Sequence, residues 1–207
     1  MTKDLTGGHP LRVILLFSFP LVLGNLFQQF YALADTIIVG QFCGVSALAS
    51  VGATSSVNYL ILGFVIGACN GFAIPIAQLF GAKDLPGLRK HVANAAWLCL
   101  GGSVVLTVLT VALTRPLLTL LQTPADILDG AATYIGWIFA GIPAIFLYNM
   151  VAAIMRALGD SKTPLYFLVL TSALNIGLDL LFVIPLKMGV FGAALATDLS
   201  QAISGVG

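Results

Sequence analysis

Residues 20–40 read PLVLGNLFQQFYALADTIIVG, and this stretch decides what kind of chain this is. It is an apolar, helix-length run broken by Asn25, Gln28 and Gln29 and then by an ionisable residue, Asp35. A charge at the centre of a bilayer helix costs about 2.5–3.5 kcal/mol on insertion scales, so such residues usually face a protein interior and do work there.

The surrounding composition makes the membrane reading general. Of 207 residues, 59% are hydrophobic and 8% charged, with a mean hydropathy of +1.04. A water-soluble domain carries roughly 25% charged residues, so this chain belongs in a lipid bilayer. The expected fold class is an all-α, polytopic integral membrane protein, and the setting a prokaryotic plasma membrane. A net charge of +1 points to no nucleic-acid partner, and every acidic side chain is Asp. Cys43, Cys69 and Cys99 are scattered and odd in number, which suits small packing residues better than a disulfide or metal cluster. The polar start MTKDLTGGHP is followed by a hydrophobic run too long for a signal-peptide core, so the first segment is expected to stay as a span.

About 20 apolar residues cross a bilayer as helix. Working outward from the first run, the candidate spans are 12–38, 46–80, 91–113, 127–153, 164–185 and 189–207. They form one domain over 1–207, whose last span stops without a polar tail, as in a chain cut near a helix end. With the N-terminus inside, the inner segments hold Lys3, Arg12, Lys83, Arg89, Lys90, Arg156 and Lys162, and the outer ones only Arg115 and Lys187. That bias predicts a cytoplasmic N-terminus. Gly63, Gly67 and Gly71 form a small-residue stripe that predicts close helix packing. Pro20, Pro75 and Pro143 lie where kinks are tolerated. In RALGDSKTP, Gly159 should end a helix, and Asp160 and Ser161 should cap the next, with Pro164 in its first turn.

Polar residues recur in the last two spans. Asn175 and Asp179 are four apart and so share one helix face. Thr197 and Asp198 are adjacent, about 100° apart around the helix, so they cannot both point at one centre. Asp198 therefore has two readings, a member of the site or part of another polar interface. With the predicted orientation, Asp35, Asn175, Asp179 and Thr197 fall at overlapping depths in the outer half of the membrane. Two carboxylates, an amide and a hydroxyl form an all-oxygen set that suits a hard cation. Two carboxylates in low dielectric also cannot both ionise cheaply, which suits a proton carrier. Blander readings stand beside these: a capping or snorkelling Asp35, Asn175 as interhelical glue, and Tyr31, Tyr134 and Trp137 as core or interfacial aromatics.

Taken in order, FSFPLVLGNLFQQFYALADTIIVG, ALASVGAT, MRALGDSKTP, LNIGLDLLF and GVFGAALATDLSQ resemble the multidrug and toxic compound extrusion (MATE) family of the MOP superfamily. The resemblance implies the N-terminal six-helix lobe of a twelve-helix transporter, with the C-terminal lobe absent. It implies export of cationic or amphipathic compounds by alternating access, driven by H⁺ or Na⁺ as the coupling ion, with no other cofactor. It further implies a cation-coupling site of Asp35, Asn175, Asp179 and Thr197, which would be the metal ligands if the ion is Na⁺. Tyr134 would join its hydrogen-bond network, Pro20 would be the helix bend, and Gln28 and Tyr31 would face the substrate cavity. The implied partners are the bilayer, the substrate, and a second lobe or a second copy of the chain. Asp198 stands where the family pattern leads one to expect an apolar residue.

Three other readings compete. A lipid-linked sugar flippase of the same superfamily would want a cationic cavity, whereas the charges placed within these spans are acidic. An intramembrane aspartyl protease would need Gly at 157 to complete GxGD, where Ala157 stands. A chain of one lobe could also lack transport activity by itself, since substrate pathways in such folds lie between repeats.

Overall fold

The computed structural model describes residues 10–206, and every regular element among them is helical. The order is α1 (Pro10–Phe42), α2 (Val45–Gly81), α3 (Leu85–Leu120), α4 (Ala125–Ala140), α5 (Ile142–Ala157), α6 (Lys162–Val183) and α7 (Gly189–Val206). Lys3, counted above toward the inside charge, lies outside the described residues.

Four of these helices are long and apolar enough to cross a membrane: Val13–Phe42, Val45–Gly81, Leu85–Leu120 and Lys162–Val183. The single span expected at 127–153 is two helices, α4 and α5, bent by 47° at Gly141 and counting together as a fifth crossing. The cause is local. Pro143 sits in the first turn of α5 and has no N–H to continue the α4 ladder, while Gly141 serves both helix ends. By contrast, α1, α2 and α3 run unbroken through Pro20, Pro75 and Pro116.

The expected sixth span, α7, does not pass the same test of length and composition. It carries Thr197, Asp198, Ser200, Gln201 and Ser204, and it buries Gly192, Ala193, Ala194 and Ala196 among its neighbours. Small side chains let it pack closely against α6, α5 and α4. Trp137 of α4 tilts onto Phe191 of α7 with ring centroids 4.9 Å apart.

The core sits where α2, α4, α5 and α7 meet, around Val65, Cys69, Ile76, Ile135, Ile138, Phe139 and Ile142. The outer surface is apolar: Val45, Tyr59, Leu60 and Trp97 are all exposed, as expected of side chains that meet lipid. The Gly63, Gly67 and Gly71 stripe is a correction. A methyl group added at any of the three would meet nothing within 4 Å, so among the described residues no helix packs on it. Spacing identified the stripe but carried no information on which side of α2 its partners lie.

Helix ends follow capping chemistry more closely than hydropathy. α3 extends well past the apolar run 91–113 because Asp84 accepts from the Gly87 N–H at 3.0 Å and Gln122 ends the helix in a left-handed turn with φ 55°. Gly159, at φ 83°, closes α5 with the bonds Gly159 N–H to Arg156 O and Asp160 N–H to Met155 O. The start of α6 departs from expectation in one respect. Asp160 is the capping side chain, accepting from the Lys162 and Thr163 N–H groups and from the Thr163 hydroxyl at 2.7 Å, while Ser161 makes no capping bond.

Candidate functional site

Four helices bring the polar residues of the membrane interior together. α1 carries Tyr31 and Asp35, α6 carries Asn175 and Asp179, α7 carries Thr197, and α4 contributes Tyr134. Burial is deep: Asn175 and Asp179 have no exposed surface, Tyr134 is 6% exposed and Asp35 8%.

Thr197 is the node. Its Oγ1 accepts from Asn175 Nδ2 at 3.2 Å and from Tyr31 Oη at 3.3 Å, and donates to the Ala193 carbonyl one turn back at 3.2 Å. The Asp35 and Asp179 carboxyls lie close enough to act on each other. Asp35 Oδ1, Asn175 Oδ1 and both carboxyl oxygens of Asp179 are buried and, beyond the pairing of the two carboxyls with each other, have no partner among the described residues. Leaving a buried polar atom unpaired costs about 1–3 kcal/mol, so four together mark a place built for something else. All four are oxygens. That donor set fits a hard cation such as Na⁺, and protons on the two carboxyls would satisfy the same atoms. Tyr134 has both carboxyls within electrostatic reach, but among the described residues its hydroxyl joins none of the site's hydrogen bonds.

Asp198 is directed elsewhere, as its angular offset from Thr197 requires. Its carboxyl fills the space beside Gly141, where a methyl group would lie only 1.8 Å from Oδ1. That oxygen is also buried and unpartnered. Asp198 thus places a carboxyl oxygen at the α4–α5 bend with no hydrogen-bond partner among the described residues, while still acting electrostatically on Tyr31 and Tyr134.

A cavity of about 300 Å³ opens beside this cluster and reaches from Tyr31 past Gln28 and Pro20 to the start of α6. Tyr31 belongs to both, lining the cavity while bonding to Thr197. Gln28 and Tyr31, expected above to face a substrate cavity, both line this one. One lining residue was missed. Arg156, assigned above to an inner loop, sits in the last turn of α5 and faces the cavity, donating to Asn70 Oδ1 at 3.1 Å. The charges within the helices are thus not all acidic. The adjacent Gly-Asp pair made this segment look like loop from residue 156 onward, whereas the helix continues to Ala157.

Comparison with known proteins agrees with this architecture. The MatE family model matches residues 20–181. The chain is 35% identical to "Probable multidrug resistance protein YpnP" of Bacillus subtilis over 97% of its own length and 45% of the relative's. It is 29% identical to "Probable multidrug resistance protein NorM" of Thermotoga maritima, over 93% of this chain and 42% of that one. A solved MOP superfamily transporter from Pyrococcus furiosus superposes with a TM-score of 0.90 at 31% identity, covering 96% of this chain and 44% of the other. The chain thus spans a little under half the length of the proteins it matches.

Proposed function

Because the chain belongs to the MATE family, a family of integral membrane transporters, we propose that it is the N-terminal lobe of a cation-coupled exporter of cationic or amphipathic compounds. A transporter of this kind has no catalytic residues, so the two interior carboxyls are read as ion carriers rather than as a protease pair. The single observation that carries the proposal is the set of four buried, unpartnered oxygens on Asp35, Asn175 and Asp179, gathered around Thr197.

The proposed cycle begins with H⁺ or Na⁺ entering this site from outside. With the ion bound, the two carboxyls no longer oppose each other, and α1 is free to close on α6. Tyr31 passes the change to the cavity through its bond to Thr197, and Pro20, whose missing N–H weakens α1, is the point at which the helix bends. Only a difference in ion affinity between two states can drive such a cycle. The opposite wall of the substrate path would come from a second lobe or a second copy of the chain, with the N-terminus in the cytoplasm and the protein in the plasma membrane.

The test uses Asp35→Asn and Asp179→Asn in a full-length transporter carrying this lobe. Both should insert normally and lose ion-driven dye efflux in inverted vesicles. Efflux at parental rates in both variants would refute the assignment. A lipid-linked sugar flippase is a second reading, favoured by one observation, the Arg156 guanidinium on the cavity wall.

A further inference from the structure

The cavity wall has an unexpected charge. Its polar lining is made of amides and hydroxyls, including Asn25, Gln28, Asn149 and Gln201, and among the described residues its one formal charge is Arg156. No described carboxylate lines it; Asp35 and Asp179 lie on the Thr197 side of Tyr31.

Arg156 has capacity to spare. A guanidinium offers five N–H donors in a planar fork, and one is used, on Asn70 Oδ1 at 3.1 Å. The side chain is half-buried and, among the described residues, no acidic group pairs with it. A guanidinium withdrawn from water without a counter-charge is costly, and an acidic ligand would offset that cost. Two further donors line the same cavity, Asn70 in contact with Arg156 and Ser161 at the start of α6. Asn70 turns its carbonyl to Arg156, leaving its amide N–H₂ available, and Ser161 is buried with a hydroxyl that caps nothing. Asp160, beside the lining residue Ser161 in the chain, lies outside the lining and accepts from the start of α6. Around this polar end the cavity is walled by Leu21, Ile66, Leu165 and Leu168. Its volume of about 300 Å³ is at the small end of ordinary ligand pockets.

We infer that the inner end of this cavity binds the acidic group, phosphate or carboxylate, of an amphipathic small molecule, held by Arg156 with Asn70 and Ser161. The inference narrows the proposed function, since an acidic group on the bound molecule selects amphipathic compounds over cationic ones, and it rests on that reading only for the claim that the bound molecule is cargo. The binding itself needs no ion gradient. The group could belong to a free solute or to a lipid headgroup, and the two share the same chemistry.

Flavin mononucleotide and riboflavin make a suitable probe pair, because they share a fluorescent ring and differ by one phosphate. The chain is placed in nanodiscs of phosphatidylcholine alone and titrated with each at equilibrium, with no gradient. The mononucleotide should bind at least tenfold more tightly. Arg156→Gln should erase that preference, while Arg156→Lys, which keeps the charge but loses the fork, should keep part of it. Repeating the titration with phosphatidylglycerol in the disc identifies the source: displacement of the mononucleotide assigns the site to a headgroup, unchanged binding to a free solute. Equal affinity for the two flavins in the unmodified chain would overturn the inference, and that arm needs no variant to fold. So would a preference that survives in a folded Arg156→Gln, the result expected if Arg156 merely snorkels to the inner membrane surface. Loss of efflux in the Asp35 and Asp179 variants leaves this measurement untouched, so the two readings can fail separately.

Discussion

Tyr31 Oη donates to Thr197 Oγ1 across 3.3 Å, and through that bond a residue of the cavity wall touches the carboxyl-bearing cluster. Every other hydrogen bond at Thr197 stays within α6 and α7. Tyr31→Phe keeps the ring and removes the link. A neutral hydrogen bond contributes about 1 kcal/mol net. Ion-stimulated efflux in vesicles carrying the full-length variant should therefore fall about fivefold, with basal binding of a dye unchanged. Equal loss of binding and stimulation would mean that the ring alone matters.

The carboxyl pair should weaken the fold that holds it. Asp35 and Asp179 face each other in low dielectric with three of their oxygens unpaired. Asp179→Asn removes one charge at nearly constant volume, and it should raise thermal stability by about 1–3 kcal/mol while abolishing coupling. Melting curves in detergent at pH 8 check this. A lower melting temperature than the parent's would show that the carboxyl is structurally satisfied by something else.

These interior residues were legible in the sequence because a polar group in an apolar run is expensive, and Asp35, Asn175, Asp179 and Thr197 each stood out against Leu, Ile and Ala. What hydropathy could not show was the direction of each side chain. Asp198 stood out equally and turns to Gly141 instead. The α4–α5 bend was only half legible: Pro143 marked a place for a kink, as Pro20 and Pro75 did, but nothing in residues 127–153 showed that this one would break the helix at Gly141 while the others would not. Helix ends followed local signals such as the Asp84 cap and the left-handed Gly159, and it is the turn at Gly159 that lets α5 run on through Arg156.

A double-mutant cycle can measure the Asp198 contact. Gly141→Ala places a methyl group 1.8 Å from the present position of Asp198 Oδ1, so the carboxyl must rotate away. Overpacking of this sort costs about 1–3 kcal/mol. In an Asp198→Ala background the same substitution should cost much less, giving a coupling energy above about 0.5 kcal/mol in thermal melts. Additive effects would show that the two residues do not meet.

Asp160 lies in the α5–α6 connection outside the spans, and its ionisation has a definite direction. Slight burial opposes the charge, but the hydrogen bonds the carboxyl accepts, those from Thr163 and Lys162 among them, outweigh it and hold it well below the usual carboxylate range. A carboxyl held low in the folded state stabilises it fully above its unfolded value of about 3.9, and loses that contribution only as the pH falls below this toward the folded value. Asp160→Ala should thus cost about 1 kcal/mol at pH 7, as loss of a helix cap does. The difference from the parent should shrink only in strong acid, which unfolding followed by circular dichroism between pH 2 and pH 7 would reveal.

Gln122 ends α3 with φ 55°, a conformation that costs a residue with a Cβ about 1 kcal/mol or more. Gln122→Gly should raise stability by about 0.5–1 kcal/mol, less whatever the more flexible unfolded chain takes back. A melting temperature below the parent's would mean that the Gln122 side chain holds the turn.

The short joint between α5 and α6 has a mechanical consequence. Four residues, 158–161, connect the two helices, and both sides are fastened, by Gly159 and its backbone bonds on one and by the Asp160 cap on the other. There is no slack in such a joint. It ties the start of α6, the helix of Asn175 and Asp179, to the end of α5, where Arg156 sits, through four residues of chain fastened at both ends. The two ends of the lobe are then meshed through the covalent chain as well as through Tyr31.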